Sequence, residues 1–295
     1  MPTSLKNLSV GITAFLDILG CGDRILNAQT TADIDAVVTD IRTIQKDFEF
    51  RPKDKHVKEV HAGSKKTVLA FSDSVVVNVA LTSKMTKLQG TFDPIMSELS
   101  GMAFAQGRCA TNGLFLRGGV DLGWWYRTGT ILASESLVGA YKTEGTASVP
   151  VIALTGRLYD FLSGHRDRRF YSKDIEPVDS LLRHYSYDGP RGKVSFWYLD
   201  YITVIAESVD WITSAEQRQS CLAAPPERRD HIRELGYRRN LRDWFKEHAR
   251  QIMLAHGRAK NESVKHKYEW LADYHNEIAP RFTPSPLALC TLVRP

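Results

Sequence analysis

Cysteine is scarce and widely spread. The chain has four, Cys21, Cys109, Cys221 and Cys290, with no Cys-x-x-Cys spacing among them. They read as free thiols in a reducing compartment rather than as a disulfide framework. Long apolar runs are missing too: a membrane span needs about 20 apolar residues, and the N-terminal stretch around Val10 to Leu19 is shorter and carries Asp17 at its centre. Neither a signal peptide nor an anchor is expected, and the expected location is cytoplasmic. No Gly-x-Gly-x-x-Gly or Gly-Lys-Ser/Thr loop follows a strand-like run, which excludes a doubly wound nucleotide fold. Charge of one sign is not in large excess: the formal net charge is +5, with Arg and Lys gathered mostly after residue 157. That balance suits anionic ligands without singling one out.

What is present is an ordinary globular composition, 43% hydrophobic and 25% charged over 295 residues, enough for a large buried core. Two stretches organise the rest: Gly11-Ile12-Thr13-Ala14-Phe15-Leu16-Asp17-Ile18-Leu19-Gly20 and Val68-Leu69-Ala70-Phe71-Ser72-Asp73-Ser74-Val75-Val76-Val77. Each is an apolar run of strand length that holds one carboxylate. A lone Asp in such a run is costly unless something pairs with it. Either Asp by itself is equally read as the first turn residue after a core strand, capping the next element. Two matched Phe-x-Asp stretches invite a shared metal.

Val10 to Leu19 is expected as a first strand, covered on both faces. A helical start follows Gly20, then a long amphipathic helix in which Ile34, Val37, Val38, Ile41, Ile44 and Phe48 recur at helical spacing. Residues 51–66 are polar and patternless and read as a mobile loop, in which His56 and His61 are solvated rather than ligands. Val68 to Asp73 and Ser74 to Leu81 are two strands meeting at Ser72-Asp73-Ser74, with Asp73 at the hairpin tip. Asp93-Pro94 opens the next helix, Asp at the cap and Pro at the first position, with Ile95, Leu99, Met102 and Ala103 buried. Leu114 to Gly123 is a glycine-rich strand in which Arg117 is the one cation, a partner for a nearby carboxylate if its role is structural. Glycines there mark the close approach of another backbone or a ligand. A short helix from Glu135 to Glu144 has Leu137, Val138 and Tyr141 on one side. Val151 to Leu154 is a further strand, and Leu158 to Ser163 a further short helix.

That order is β-α-β-β-α-β with an extra helix and strand, an α+β, ferredoxin-like sheet containing antiparallel pairs, with helices on one face. The domain so read covers residues 1–185. A strand and helical extension occupies 186–280: a strand over Lys193 to Leu199, a helix over Glu227 to His256 with Ile232, Leu235, Leu241, Trp244, Phe245 and Ile252 inward, and a second over Asn261 to Ile278 with Val264, Tyr268, Leu271 and Tyr274 in phase. Pro225-Pro226 starts the pair and Gly257 or its neighbours breaks it. Their outer faces carry Arg228, Arg229, Arg238, Arg239, Arg242, Arg250, Lys265 and Lys267, interleaved with Glu and Asp, and read as solvated surface, so no nucleic-acid partner is expected. The Pro-rich tail, 281–295, is expected to be flexible.

These residues carry a resemblance. The chain resembles a class III nucleotidyl cyclase domain, and within that superfamily the pyrimidine cyclases (PycC) of the bacterial Pycsar antiphage system. Phe15-Leu16-Asp17-Ile18-Leu19-Gly20 is similar to the family's first metal motif, in which an Asp and the carbonyl of the following Ile hold the ions before a phosphate-facing turn. Phe71-Ser72-Asp73 is similar to the second metal motif. Arg117-x-Gly119-Val120-x-x-Gly123 resembles the family's Arg-x-Gly-Ile-His-x-Gly strand, with Asp121 where His is usual. Ala140-Tyr141-Lys142-x-Glu144 falls where the family carries substrate and transition-state residues. The likeness covers about residues 8–165. Purine cyclases place a base-reading Lys where this chain has Leu69, and Asn and Arg where it has Val138 and Lys142. The Tyr-x-x-Glu pattern looks more like the pyrimidine group.

The resemblance implies a metal-dependent conversion of UTP, possibly CTP, to its 3′,5′-cyclic monophosphate, a second messenger in antiphage defence whose effector is a separate protein. It implies two Mn²⁺ or Mg²⁺ ions on Asp17, Ile18 and Asp73, hard oxygen donors suited to such ions. Substrate would contact Leu19, Gly20, Cys21, Leu69, Tyr141 and Glu144. Arg117 or Lys142 would offset charge in the transition state. It also implies a homodimer with active sites at the interface, metal residues from one copy and the late helix from the other. A catalytically silent nucleotide sensor or a purine cyclase is the alternative.

Overall fold

The structure, a computed structural model, describes residues 8–49, 66–129, 131–172, 176–189, 192–212 and 214–292. The expected loop at 51–66, with His56 and His61, lies outside the described residues except for Lys66. The chain forms two compact units, Met1–Cys109 with Leu114–Tyr201, and Ala110–Gly113 with Ile202–Pro295.

In the first unit β1 (Leu8–Ile18) leads into α1 (Cys21–Leu26) and α2 (Thr31–Glu49). The hairpin β2 (Lys66–Phe71) and β3 (Ser74–Ala80) follows, then α3 (Lys84–Gln89) and α4 (Phe92–Thr111). β4 (Leu116–Thr128) and β5 (Ile131–Ser134) precede α5 (Glu135–Thr146), β6 (Ile152–Leu154) and α6 (Gly156–Ser163). The unit closes with α7 (Pro177–Leu181), β7 (Leu182–Gly189) and β8 (Gly192–Leu199). The fold is α+β around one sheet of strand order β2-β3-β1-β4-β6-β8-β7, with β5 paired to β4. Among the described residues only β4 and β6 run parallel, and the other pairs are antiparallel. The strand expected over 193–199 belongs to this sheet.

Register assigns every side chain to a face, since alternate residues point to opposite sides. Ile12, Ala14 and Leu16 of β1 line up with Val79, Val77 and Val75 of β3 and with Leu122, Val120 and Gly118 of β4. This face is apolar and takes α2 and α4. Lys66, on the same face, pairs with Glu98 of α4 at 2.8 Å, and Ala70 shares a cavity with Ile34, Val37 and Ile41 of α2. The other face carries Thr13, Phe15 and Asp17, in line with Asn78, Val76 and Ser74 on one side and Asp121, Gly119 and Arg117 on the other. α5 lies over it, with Thr13 Oγ1 2.7 Å from Ser136 Oγ.

Ile95, Leu99, Met102 and Ala103 of α4 are buried as expected. The helix begins two residues early, at Phe92, with the Thr91 carbonyl accepting from Ile95 N–H. Asp93 therefore sits in the first turn, where its carboxylate accepts from the Tyr171 hydroxyl at 2.7 Å.

The second unit is built on α8 (Tyr201–Ser208), which begins at the end of the first, α9 (Ala215–Ala223), α10 (Pro226–Arg258) and α11 (Glu262–Phe282). Leu241, Phe245 and Ile252 of α10 are buried, but Leu235 is 54% exposed, and Gly236 takes the inward position because a Cβ there would lie 2.4 Å from the Trp211 carbonyl oxygen. α10 ends at Arg258, the neighbour of Gly257, as expected. The stretch after Pro280, expected to be flexible, is fastened as far as it is described: Pro280 is within α11, His275 Nε2 bonds the Ala288 carbonyl at 2.6 Å, and Asn276 brackets the Cys290 backbone. Along the outer faces cations pair with acids of the same helix, Arg238 with Glu234 and Arg250 with Glu247.

Candidate active site

The site grows from one rim of the α5-covered face, where Phe71, Ser74, Asp17 and Arg117 stand in one row across four neighbouring strands. Beside the row is the hairpin turn, held by Ser72 in a left-handed conformation (φ 53°) and by Asp73, a backbone position at which a non-glycine residue is strained. The Asp73 carbonyl accepts from Ile18 N–H at 3.3 Å, tying the tip to the end of β1. Asp17 and Asp73, 56 positions apart in the numbering, thus meet at one place. Gly20 then turns the chain at φ 78° into α1, and Asp73 Oδ2 is 3.5 Å from where a Cβ on Gly22 would sit.

Cys21 is fully buried beneath this turn. Burial pushes its thiol up, Arg24 pulls it down, and the carboxylates of Asp73, Asp40 and Asp17 push it up again. A thiol so placed stays protonated at neutral pH and packs as a small apolar group; it does not ligate or attack. Leu19 N–H is committed to the Phe115 carbonyl at 2.9 Å and has nothing left for a phosphate. Of the turn residues expected to meet substrate, Gly20 and Cys21 keep that possibility through their backbone.

Arg117 faces Asp17 directly across the β1–β4 pair, its Nη2 3.3 Å from Asp17 Oδ2. The same nitrogen meets the carboxylate of Glu144 from α5. The Glu144 side chain is only 6% exposed: the residue expected to touch substrate is instead a buried partner of Arg117. Spacing put it on α5 correctly but could not tell that its side of the helix faces the sheet. Ser136, Ala140 and Glu144 are that inward stripe, whereas Val138 and Tyr141 are 54% and 60% exposed and Lys142 is exposed.

The glycines of β4 explain how α5 lies so close. A Cβ on Gly119 would be 2.1 Å from the Ala140 carbonyl oxygen, and one on Gly139 would be 1.9 Å from Asp121 Oδ2. Asp121, 2% exposed, accepts from Thr155 Oγ1 at 2.5 Å and from Arg157 Nη2 at 2.5 Å. Arg157 also reaches Glu135 of α5 at 2.6 Å. Thr155 caps α6 by accepting from Leu158 N–H. Asp121 is thus the knot that joins β4, α5 and α6, and sequence alone gave no sign of Arg157 or Thr155, whose links to it span 36 and 34 residues.

One row inward, Phe15, Val76, Trp125 and Ala140 form a buried cluster with Leu69 and Leu137 packed against it. Tyr141 stands edge-on to Phe15 at 5.3 Å and Phe71 tilts towards it at 6.4 Å. Leu69 and Tyr141 are therefore brought together around Phe15, next to the carboxylates. A mostly apolar cavity is lined by Ile34, Val37, Ile41 and Ala70 and also by Arg42 and the hairpin residues Phe71 and Ser72.

Among the described residues no three His, Cys, Asp or Glu side chains converge as a ready cation cage. Asp17 and Asp73 provide two carboxylates and Ile18 a carbonyl, all hard oxygens. That donor set fits Mg²⁺ or Mn²⁺, which keep waters and take substrate phosphates as further ligands, and does not fit a softer metal.

No helix of the described residues is long and apolar enough to cross a membrane. No family model and no curated protein matches the chain. Among solved structures the chain is similar to a bacterial light-regulated adenylyl cyclase, at 12% identity over 68% of this chain and 99% of that one, with a TM-score of 0.37. It is also similar to the catalytic core of a rhodopsin-guanylyl cyclase with converted specificity in complex with ATPαS (14% identity, 65% and 96% covered, TM-score 0.34). A third is a class III adenylyl cyclase-like ATP-binding protein from Pseudomonas aeruginosa, at 11% identity over 85% of this chain and 62% of that one, TM-score 0.39.

Proposed function

We propose that the first unit is a divalent-metal-dependent nucleotidyl cyclase of the class III kind, acting on a pyrimidine nucleoside triphosphate, UTP or CTP. The observation that supports it most is the convergence of Asp17 and Asp73 at one rim, with Arg117 beside Asp17. In the reaction the ribose 3′-oxygen bonds to the α-phosphorus, the bond from that phosphorus to the β-phosphate oxygen breaks, and pyrophosphate leaves. The hydroxyl proton passes to solvent. Asp17, Asp73 and the Ile18 carbonyl would hold two Mn²⁺ or Mg²⁺ ions, which when bound would supply positive charge to the attacking and leaving oxygens. Arg117 adds a fixed cation where charge develops. Leu69 and Phe15 offer the base an apolar wall with no hydrogen-bond reader at position 69, which favours a small pyrimidine over a purine that needs its edge recognised.

α5 leaves Tyr141 and Lys142 exposed, consistent with a homodimer in which they serve a second copy's metal residues. The product is a second messenger in antiphage defence, read by a separate effector, and nucleic acid is not a partner. The test is turnover of UTP, CTP, ATP and GTP with Mn²⁺, with product identification. A cyclic pyrimidine monophosphate is expected, abolished by Asp17→Ala or Asp73→Ala. Comparable turnover of ATP or GTP overturns the pyrimidine assignment, and no turnover of any by a folded chain overturns the enzyme in favour of a silent nucleotide sensor.

A further inference from the structure

Arg117 spends a single nitrogen on two acids. Nη2 is 3.3 Å from Asp17 Oδ2 and also meets Glu144 Oε1, while Nε is buried with no acceptor among the described residues. The guanidinium is therefore a fork on neither carboxylate, and what one acid gains in it the other loses. The acids are not equals. The Asp17 side chain is 22% exposed and that of Glu144 is 6% exposed. A buried carboxylate cannot exchange its counter-charge for water, whereas a half-open one can.

Resting on the two-aspartate reading above, we propose that Arg117 is the resident counter-charge of Asp17, present until a divalent ion arrives. Glu144 is the positioning residue that stops the guanidinium from closing on Asp17 and so keeps that carboxylate open to the ion. An arriving cation then meets Arg117 as the looser half of a shared contact rather than as a full ion pair. Arg117 remains anchored to Glu144, one contact from the ion, where it can meet the charge of the substrate. Without Glu144 the whole guanidinium turns to Asp17, and the cation must displace a full ion pair. Neither role touches the reacting atoms through Glu144 itself.

The experiment is Mn²⁺ binding to the full chain without nucleotide, read as free Mn²⁺ by electron paramagnetic resonance, with thermal unfolding recorded for each variant. Asp17→Ala should abolish binding and so locates the ion. Glu144→Gln should weaken it about tenfold, within the range known for residues behind the ligands. The double variant Arg117→Met with Glu144→Gln, which removes both charges and leaves no buried acid unpaired, should bind at least as tightly as the wild type. Unchanged binding in Glu144→Gln overturns the inference. So does a double variant weaker than wild type, since Glu144 would then be holding the ion itself; this comparison decides alone if Glu144→Gln does not fold. A wild-type chain that binds no Mn²⁺ overturns the two-aspartate reading, and this inference with it.

Discussion

At Gly119 the absence of a side chain decides where a helix can lie. Because the Ala140 carbonyl occupies the place of its Cβ and Glu144 N would be 2.9 Å away, Gly119→Ala must push α5 off the sheet at the turn that carries Glu144. The expected cost is about 1–3 kcal/mol, the usual range for overpacking, with turnover reduced more than stability because the Glu144–Arg117 contact lengthens. Urea unfolding with single-turnover kinetics checks both, and an unshifted midpoint would mean that α5 moves freely there. Asp121→Asn tests the neighbouring knot. Its carboxylate is nearly dry while Arg157 is partly in water, so the loss expected is that of one buried acceptor, about 1–3 kcal/mol, again by urea unfolding. That Asp17 and Asp73 stand out was legible in the sequence because an acid interrupting an apolar strand is anomalous wherever it falls. The close approach at Gly119 was legible as well, though not what approaches. The burial of Glu144 was not legible because spacing along a helix fixes its direction only once the inward side is known, and α5 turns its polar stripe of Ser136 and Glu144 to the sheet while Val138 and Tyr141 face out.

Elements were read best where one face is uniformly apolar. β1, the β2–β3 hairpin, α2 and α4 all have strong periodicity and were found within a residue or two; β5 and β7 were not anticipated. β7 is an edge strand of mixed composition, Leu182 to Gly189, paired on one side only, so no alternation marks it. The closing segment was misread for a different reason: its anchors are far away on α11. The fully buried His275 of α11 and His248 of α10 meet through their Nδ1 atoms at 2.8 Å. Because His275 Nε2 donates to the Ala288 carbonyl, its Nδ1 accepts, and His248 Nδ1 must be the donor. A second proton on His275 would set two donors against each other. Burial accordingly lowers His275 to about 4, and burial followed by the His275 charge lowers His248 well below its usual value. Both folded values lie below the unfolded one, so the unfolded chain binds more protons and stability is lost as pH falls from about 6.5 towards about 4. His275 alone accounts for about 3 kcal/mol across that window. Near-UV circular dichroism of Trp244, stacked on His248, should lose amplitude at lower urea at pH 5 than at pH 7. His275→Gln with His248→Leu should flatten the difference, and a pH-independent midpoint in the wild type would show that the pair is not neutral when folded.

For the molecule as a whole, the question is whether one chain makes a complete site. Asp17, Asp73 and Arg117 stand together, but on α5 Tyr141 is 60% exposed and the Lys142 side chain makes no ion pair among the described residues. A cation and an aromatic ring exposed beside this rim gain their use if another copy brings its own rim to them. Phe71, 52% exposed in the row with Asp17, would be covered by the same association. The prediction is complementation. Asp73→Ala lacks a metal carboxylate and Lys142→Ala lacks the α5 cation, and each is expected to be inactive alone. If sites form between copies, a mixed dimer has one site with both defects and one with neither. An equimolar mixture should therefore recover about one quarter of wild-type turnover, half the dimers being mixed and half their sites intact. Activity of the wild type should also fall on dilution faster than in proportion to concentration, because the single chain is incomplete. A mixture as dead as its components, with the wild type linear in concentration, would place Lys142 in the same site as its own chain's Asp73 and return the whole reaction to a single chain.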